Sequence, residues 1–224
     1  MWQADDMHIG ILGGTGPAGS ALGARLASIG YDVTIGSRSA ERAEDVRREL
    51  CDKWPDVASR LHGGDNAAAA ACEVVVIATP WDSAATTVQE NSDALAGKIL
   101  ISMANALVRV AGEFQPLLPP RGSVAAHIQA AAPRSKVVAA FHHLPAKELG
   151  HLGEPIESDV LICSDDRSAL GVVAEIVDRI PGCRPLDAGQ LSNATAIEAF
   201  TAVLLQLNVR YKTRVAPKLT GIRG

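Results

Sequence analysis

The sequence predicts an α/β fold: a doubly wound parallel sheet with a smaller C-terminal α/β lobe. Short apolar runs that are continuous rather than alternating, such as EVVVIATP (Glu73 to Pro80) and KILISM (Lys98 to Met103), read as strands buried on both faces. Stretches with apolar residues at helical spacing separate these runs, so strand and helix alternate along most of the chain. The first run, HIGILGGTGPAG from His8 to Gly19, ends in glycines directly ahead of a helical pattern.

The elements follow in order. The first strand starts at His8, which leaves Met1 to Met7 as a loose extension. A helix over 17–30 carries Leu22, Leu26 and Ile29 on one face. YDVTIGS is the second strand and AERAEDVRRELCDKW a charged amphipathic helix. A short strand near SRLHG precedes the alanine-rich helix DNAAAAAC, then the buried strand EVVVIATP and a helix over 81–95. After KILISM, the segment from Asn105 to Arg121 has prolines at 116, 119 and 120 and reads as a long loop. A helix resumes at SVAAHIQAAAP, followed by the strand KVVAAF and the irregular stretch HHLPAKELGHLGEPIE. The strand SDVLICSD, the helix RSALGVVAEIVDRI, the strand CRPLDAG and a long helix from about Gln190 to Lys212 complete the chain. Residues 1–150 are expected to form the nucleotide-binding domain and 151–224 the small second lobe.

Composition narrows the function classes. The chain has 224 residues, 47% apolar, and a formal net charge of −4, so binding driven by phosphate neutralisation along nucleic acid is disfavoured. Cys51, Cys72, Cys163 and Cys183 form no CxxC pair and lie near no histidine at metal-ligand spacing; they are expected to be reduced thiols, and no metal is expected. No basic-then-apolar leader opens the sequence, and no apolar run approaches the ~20 residues that span a bilayer. A cytoplasmic protein is the expectation.

GTGPAG, Gly14 to Gly19, is a GxGxxG between a strand and a helix, the position that marks a Rossmann-type dinucleotide site. Gly14 is expected to permit the tight turn, Gly16 to let the backbone approach a pyrophosphate, and Gly19 to let helix and strand pack closely. Amides at the helix N-terminus then face the anion, and Pro17 suits the first helical turn. After the second strand, where NAD binders place a ribose-binding carboxylate, this chain has Ser37 and Arg38. A carboxylate there repels a 2′-phosphate, whereas a guanidinium offers a planar fork of donors to it. Arg42, one helical turn on, reaches the same place. The cofactor read from these residues is NADP(H).

The set ILGGTGPAG, IGSRSAERA, ATPW, FHHLPA and RPLDAGQLSNATAIE resembles the NADPH-dependent reductases of coenzyme F420, a deazaflavin, from about Ile9 to Val209. It is also similar to the cytosolic domains of membrane-bound ferric reductases. The resemblance implies reversible hydride transfer between NADP(H) and F420. It also implies that Gly14, Thr15, Gly16 and Gly19, with Pro17 and Ala18 between them, contact the cofactor pyrophosphate or its ribose. Ser37, Arg38 and Arg42 match the residues that hold the 2′-phosphate, and family members often have lysine where Arg42 stands. Thr79, Pro80 and Trp81 match a loop beside the nicotinamide. His142 and Leu144 match residues where the two rings meet, so they are the candidate catalytic positions. After the fifth strand SMANALVRV departs from a proline-containing stretch of some members, which leaves nicotinamide-side contacts of Ala104 and Asn105 open.

A hydride shuttle between two carriers needs orientation and shielding from water more than acid–base machinery. The chain agrees: it has no Tyr-x-x-x-Lys or Cys/His nucleophile pair in the expected places. His142 reads either as a hydrogen-bond donor to the deazaflavin or as a pocket wall, His143 as a surface or packing residue, and His127 and His151 as structural or exposed. Ile197, Phe200, Val203, Leu204 and Leu207 of the last helix suit both a core and a homodimer interface. A reductase of another acceptor (ferric chelate, flavin, quinone or imine) and a non-catalytic NADP(H) sensor remain the alternatives.

Overall fold

The computed structural model describes residues 7–222. Strand β1 (His8–Leu12) leads through a glycine loop into helix α1 (Pro17–Ser28). Then come β2 (Asp32–Ser37), α2 (Ala40–Lys53), β3 (Leu61–Asp65), α3 (Asn66–Ala70), β4 (Val74–Ile77), α4 (Trp81–Glu90), α5 (Ser92–Leu95) and β5 (Ile99–Ser102). The second half holds β6 (Leu107–Val110), β7 (Glu113–Pro116), α6 (Val124–Ala131), β8 (Lys136–Ala139), α7 (Ala146–Leu149), β9 (Ser158–Ser164), α8 (Arg167–Asp178), β10 (Cys183–Asp187) and α9 (Ala194–Tyr211).

Eight strands form one sheet in the order β10-β9-β8-β5-β4-β1-β2-β3. The apolar runs work as read, because each strand feeds two cores. Ile9, Ile11, Val74, Val76, Ile101 and Val138 pack with α1 and α8 on one face. Leu12, Val75, Ile77, Leu100 and Val137 pack with α4 and α6 on the other. The chain reverses direction across the sheet between β1 and β4, which opens a crevice at the C-terminal ends of the strands, where α/β proteins bind ligands.

The structure corrects several expectations. The sheet is mostly rather than wholly parallel, since β8 and β9 pair antiparallel. Residues 105–121 are not a plain loop: β6 and β7 form an antiparallel hairpin turned by Ala111 (φ 49°) and Gly112 (φ 88°). Two positive φ values suit the twist of a tight hairpin, and Pro116 is tolerated at the end of a two-stranded ribbon that needs no further donor. The hairpin rests on α9, with Phe114 N donating to Gln206 Oε1 at 3.3 Å. The helix expected over 81–95 breaks at Asn91, whose side-chain amide donates to Thr87 O at 2.8 Å. The stretch after His143 contains the short helix α7. Met7 belongs to the core rather than to an extension; residues 1–6 lie outside the described residues.

Candidate active site

The crevice starts with the glycine loop. Gly13, not Gly14, has the left-handed conformation, at φ 77°. A Cβ on Gly13 would also stand 2.8 Å from Thr79 N, so the turn requires glycine twice over. Gly14 donates to Gly36 O at 2.9 Å and locks the loop onto β2. A Cβ on Gly19 would stand 2.8 Å from Gly13 O and 2.9 Å from Gly14 Cα, so this glycine permits helix α1 to pack on the loop, as read. Gly16 differs: its Cβ would meet only Gly13 O, at 3.4 Å, and it borders open cleft. Gly14 and Gly19 therefore support the loop from behind, while Thr15, Gly16, Pro17 and Ala18 line the cleft. Helix α1 has no side-chain cap at Gly16, which leaves its first amides for an anion.

The cleft encloses about 760 Å³ and runs from Ser37, Arg38 and Arg42 at one end to Met103, Ala104 and Asn105 at the other. Thr79, Pro80 and Trp81 form the wall above β4. Ser37 is buried and its Oγ accepts from Ser39 N at 3.3 Å; Ser39 Oγ in turn caps α2 by accepting from Arg42 N at 3.3 Å. These bonds fix the backbone beneath the two arginines. Arg38 and Arg42 make no ion pair among the described residues: Glu44 is held by Arg47 at 2.6 Å and Asp45 by Arg48 at 3.2 Å. Two buried atoms of cleft-wall residues, Asn66 Oδ1 and Thr79 Oγ1, have no partner among the described residues, and a ribose or phosphate would supply one. The residues present thus fit a dinucleotide bearing an extra phosphate. The motif did not point to Gly13 or Asn66, although both line the cleft.

A second cavity of about 390 Å³ shares Ala18, Met103 and Asn105 with the cleft. His142 and Leu144 line it, so the sequence-predicted pair does meet the far end of the cofactor cleft. Phe141, buried with φ 65°, turns the chain at the end of β8 to place them; such a backbone costs about 1–3 kcal/mol for a non-glycine residue. Asn105 donates to His142 O at 3.3 Å and accepts from Thr201 Oγ1 at 2.9 Å, which ties the β5 loop, the histidine loop and α9 together.

Among the described residues, neither ring nitrogen of His142 has a partner in hydrogen-bonding geometry. Burial, with His143 beside it, pushes the His142 pKa down to about 3, against a weak opposite pull from the backbone at Met103 and Ala104. The ring is neutral near pH 7, able to donate one hydrogen bond but not to carry charge. His143 is a packing residue: it is buried, its Nε2 lies 2.8 Å from Ile197 O, and burial lowers its pKa too.

Among the described residues, the other buried or clustered titratable groups are engaged or raised out of range. The cysteines are free; burial pushes Cys163 up to about 12 and Cys183 up to about 11, so neither is a ready thiolate. Glu148, His151 and Glu154 each place one ligand atom within 4.8 Å of the others. Glu148 is already paired with Arg214 at 2.7 Å. Buried Arg25 donates to the carbonyls of Glu148, Leu149, His151, Leu152 and Glu154 at 2.6–3.2 Å, so a cation already organises this loop.

The fold and the cleft define a dinucleotide-binding α/β protein. Comparison with known proteins narrows the class. Residues 8–106 match the family model for coenzyme F420-dependent NADP oxidoreductases. Over 97% of its length the chain is 36% identical to 97% of the F420-dependent NADP reductase of Methanocaldococcus jannaschii. It is 33% identical to that of Methanothermobacter marburgensis, over 94% of this chain and 96% of the relative. A crystal structure from Arthrobacter sp. FB24 superposes with a TM-score of 0.77 at 28% identity, covering 94% of this chain and 100% of that one. The chain belongs to the F420-dependent NADP reductase family. Among the described residues, no helix is long and apolar enough to cross a membrane.

Proposed function

We propose that this protein transfers a hydride reversibly between NADP(H) and coenzyme F420. The observation that carries the reading is the junction at Ala18, Met103 and Asn105, where a dinucleotide cleft opens into a second cavity of a size to admit a flat ring. The nicotinamide supplies or accepts the hydride at C4 and the deazaflavin exchanges it at C5. The protein must hold the two faces together and dry, which accounts for much of such a rate enhancement.

In this reading Gly16, Thr15 and the first amides of α1 hold the pyrophosphate. Arg38 and Arg42, with Ser37, hold the 2′-phosphate. Pro80, Trp81, Ala104 and Asn105 flank the nicotinamide. Leu144 is a pocket wall, and His142 presents a neutral imidazole whose N–H can bond a deazaflavin heteroatom as charge moves onto that ring. Residues 1–150 act as the nucleotide domain, while 151–224 supply α9 and the C-terminal segment to the second cavity.

Helix α9 also suggests the assembly. It buries Ile197 and Leu204 against the body while Phe200 and Val203 on the same apolar stripe stay 40% and 51% exposed, a partly uncovered stripe that favours a homodimer; the cytoplasm is the compartment this reading expects. The test of the reaction is direct transfer: NADPH deuterated at C4 is incubated with oxidised F420, and the product is read by mass spectrometry. Deuterium retained on the reduced deazaflavin supports the reading; hydrogen drawn from solvent opposes it.

A further inference from the structure

The cleft and the second cavity meet at Ala18, Met103 and Asn105, and each is lined by two cations. Arg38 and Arg42 line the first. In the second, the lining includes Lys147 and Arg214 and no carboxylate side chain, in a chain whose net charge is −4. The rest of the second cavity's lining is mostly apolar, with Met103, Phe141, Leu144 and Leu204 among it.

The second cation pair is supported as a site would be. Lys147 sits in α7, and the loop that follows is held from within by the five Arg25 carbonyl contacts. Arg214 lies in an extended segment anchored by Val215 N donating to Asn208 Oδ1 at 2.6 Å. Its Nε is held by Glu148 Oε1 at 2.7 Å, which aims the guanidinium and leaves its terminal nitrogens to reach a ligand. Both side chains are exposed at this cavity, where they meet an anion arriving from solvent.

We propose that Lys147 and Arg214 form a recognition site for the acidic side chain of the deazaflavin substrate, meaning its phosphodiester and glutamyl carboxylates. They are the counterpart, in the second cavity, of Arg38 and Arg42 in the first. The inference rests on the F420 reading above and goes beyond it by assigning the part of the molecule that sets affinity. The flat ring enters the apolar part of the second cavity and the tail runs out over the two cations, so anionic groups on both substrates register the two rings against each other. Arg25 is a positioning residue for this site, acting through the 148–154 loop.

The test is a binding titration of the full-length protein followed by deazaflavin fluorescence. Three probes are compared: F420 with its glutamates, the phospholactyl form without glutamates, and the phosphate-free deazariboflavin. The wild type is expected to bind the tailed probes more tightly, with an advantage that shrinks as salt is raised. Lys147→Ala and Arg214→Ala should each weaken F420 binding on the order of tenfold, while leaving deazariboflavin and NADPH binding unchanged. Lys147→Arg should retain the tail preference, and loss in the phospholactyl arm as well would place the phosphodiester at the cations. Equal affinity of wild type for all three probes, or equal loss of tailed and tail-free probes in both variants, overturns the proposal while leaving the F420 reading intact. A wild type that binds NADPH but none of the three probes overturns both.

Discussion

Replacing Gly16 and Gly19 separately by alanine should separate cofactor binding from loop stability. At Gly16 the backbone has φ −77° and ψ 161°, open to any residue, and the new Cβ would meet only Gly13 O, at 3.4 Å. The substitution is expected to change stability by no more than about 0.5 kcal/mol. The methyl nonetheless occupies the side from which a pyrophosphate approaches, so NADPH affinity should fall by at least about tenfold, or about 1.4 kcal/mol. At Gly19 the Cβ would stand 2.8 Å from Gly13 O, 2.9 Å from Gly14 Cα and 3.1 Å from Ala78 Cβ, and the first two are backbone atoms that move only if the loop moves. Two approaches below 3 Å to backbone put this site in the upper half, about 2–3 kcal/mol, of what overpacking costs, and alanine's better helix propensity returns about 1 kcal/mol. The melting temperature should drop by about 2–8 °C, with NADPH binding also impaired. Thermal melts and a fluorescence titration with NADPH read both quantities. A Gly16→Ala protein that binds NADPH normally, or a Gly19→Ala protein that melts like wild type, would refute the placement of the loop.

Three further outcomes follow from the geometry. Arg38→Ala should cost NADPH binding about 1.5–3 kcal/mol and NADH binding much less, and equal losses would remove the 2′-phosphate from this end of the cleft. Stability should respond to pH through two opposed groups. His142, with a folded pKa near 3 against 6.5, loses about 1.4 kcal/mol per pH unit as pH falls below 6.5, and His143 acts with it. Glu198 of α9, buried against the first amides of α6 and raised from 4.5 to about 7, loses stability as pH rises from 4.5 to about 7. Glu198→Gln should therefore steepen the loss between pH 6.5 and 4.5 in denaturant titrations; an unchanged slope would contradict the assignment. Arg25→Met removes five charge-assisted bonds to the 148–154 loop, and should lower stability by about 3 kcal/mol and speed proteolysis within that loop. Unaltered proteolysis would mean the loop is held some other way.

The parts legible in the sequence were those set by local pattern. β4 announces itself because four consecutive apolar residues are buried alternately in two cores. The Gly-rich turn and Ser37-Arg38 sit at fixed offsets from strand ends, so spacing alone brings them to one cleft. Pattern could not say which of two adjacent glycines takes the left-handed conformation, and the answer was Gly13. The hairpin over 107–116 was hidden because prolines read as loop signals, while its own Ala111-Gly112 turn is weaker than an Asn-Gly. The second cavity was least legible. Its walls join residues far apart in the chain, as with Asn105 and Thr201, 96 positions apart, and no local spacing rule links them. His142 was found only through the family likeness; its neutrality comes from burial, which depends on the packing of the whole second half.

The most direct measurement mixes purified protein with oxidised F420 and NADPH, follows the loss of the deazaflavin's visible absorption band, and repeats the run with NADH. The account predicts rapid bleaching with NADPH and little with NADH, because Arg38 and Arg42, which make no ion pair among the described residues, are the groups it assigns to the 2′-phosphate. No bleaching despite intact NADPH binding, or equal rates with both nucleotides, would contradict it.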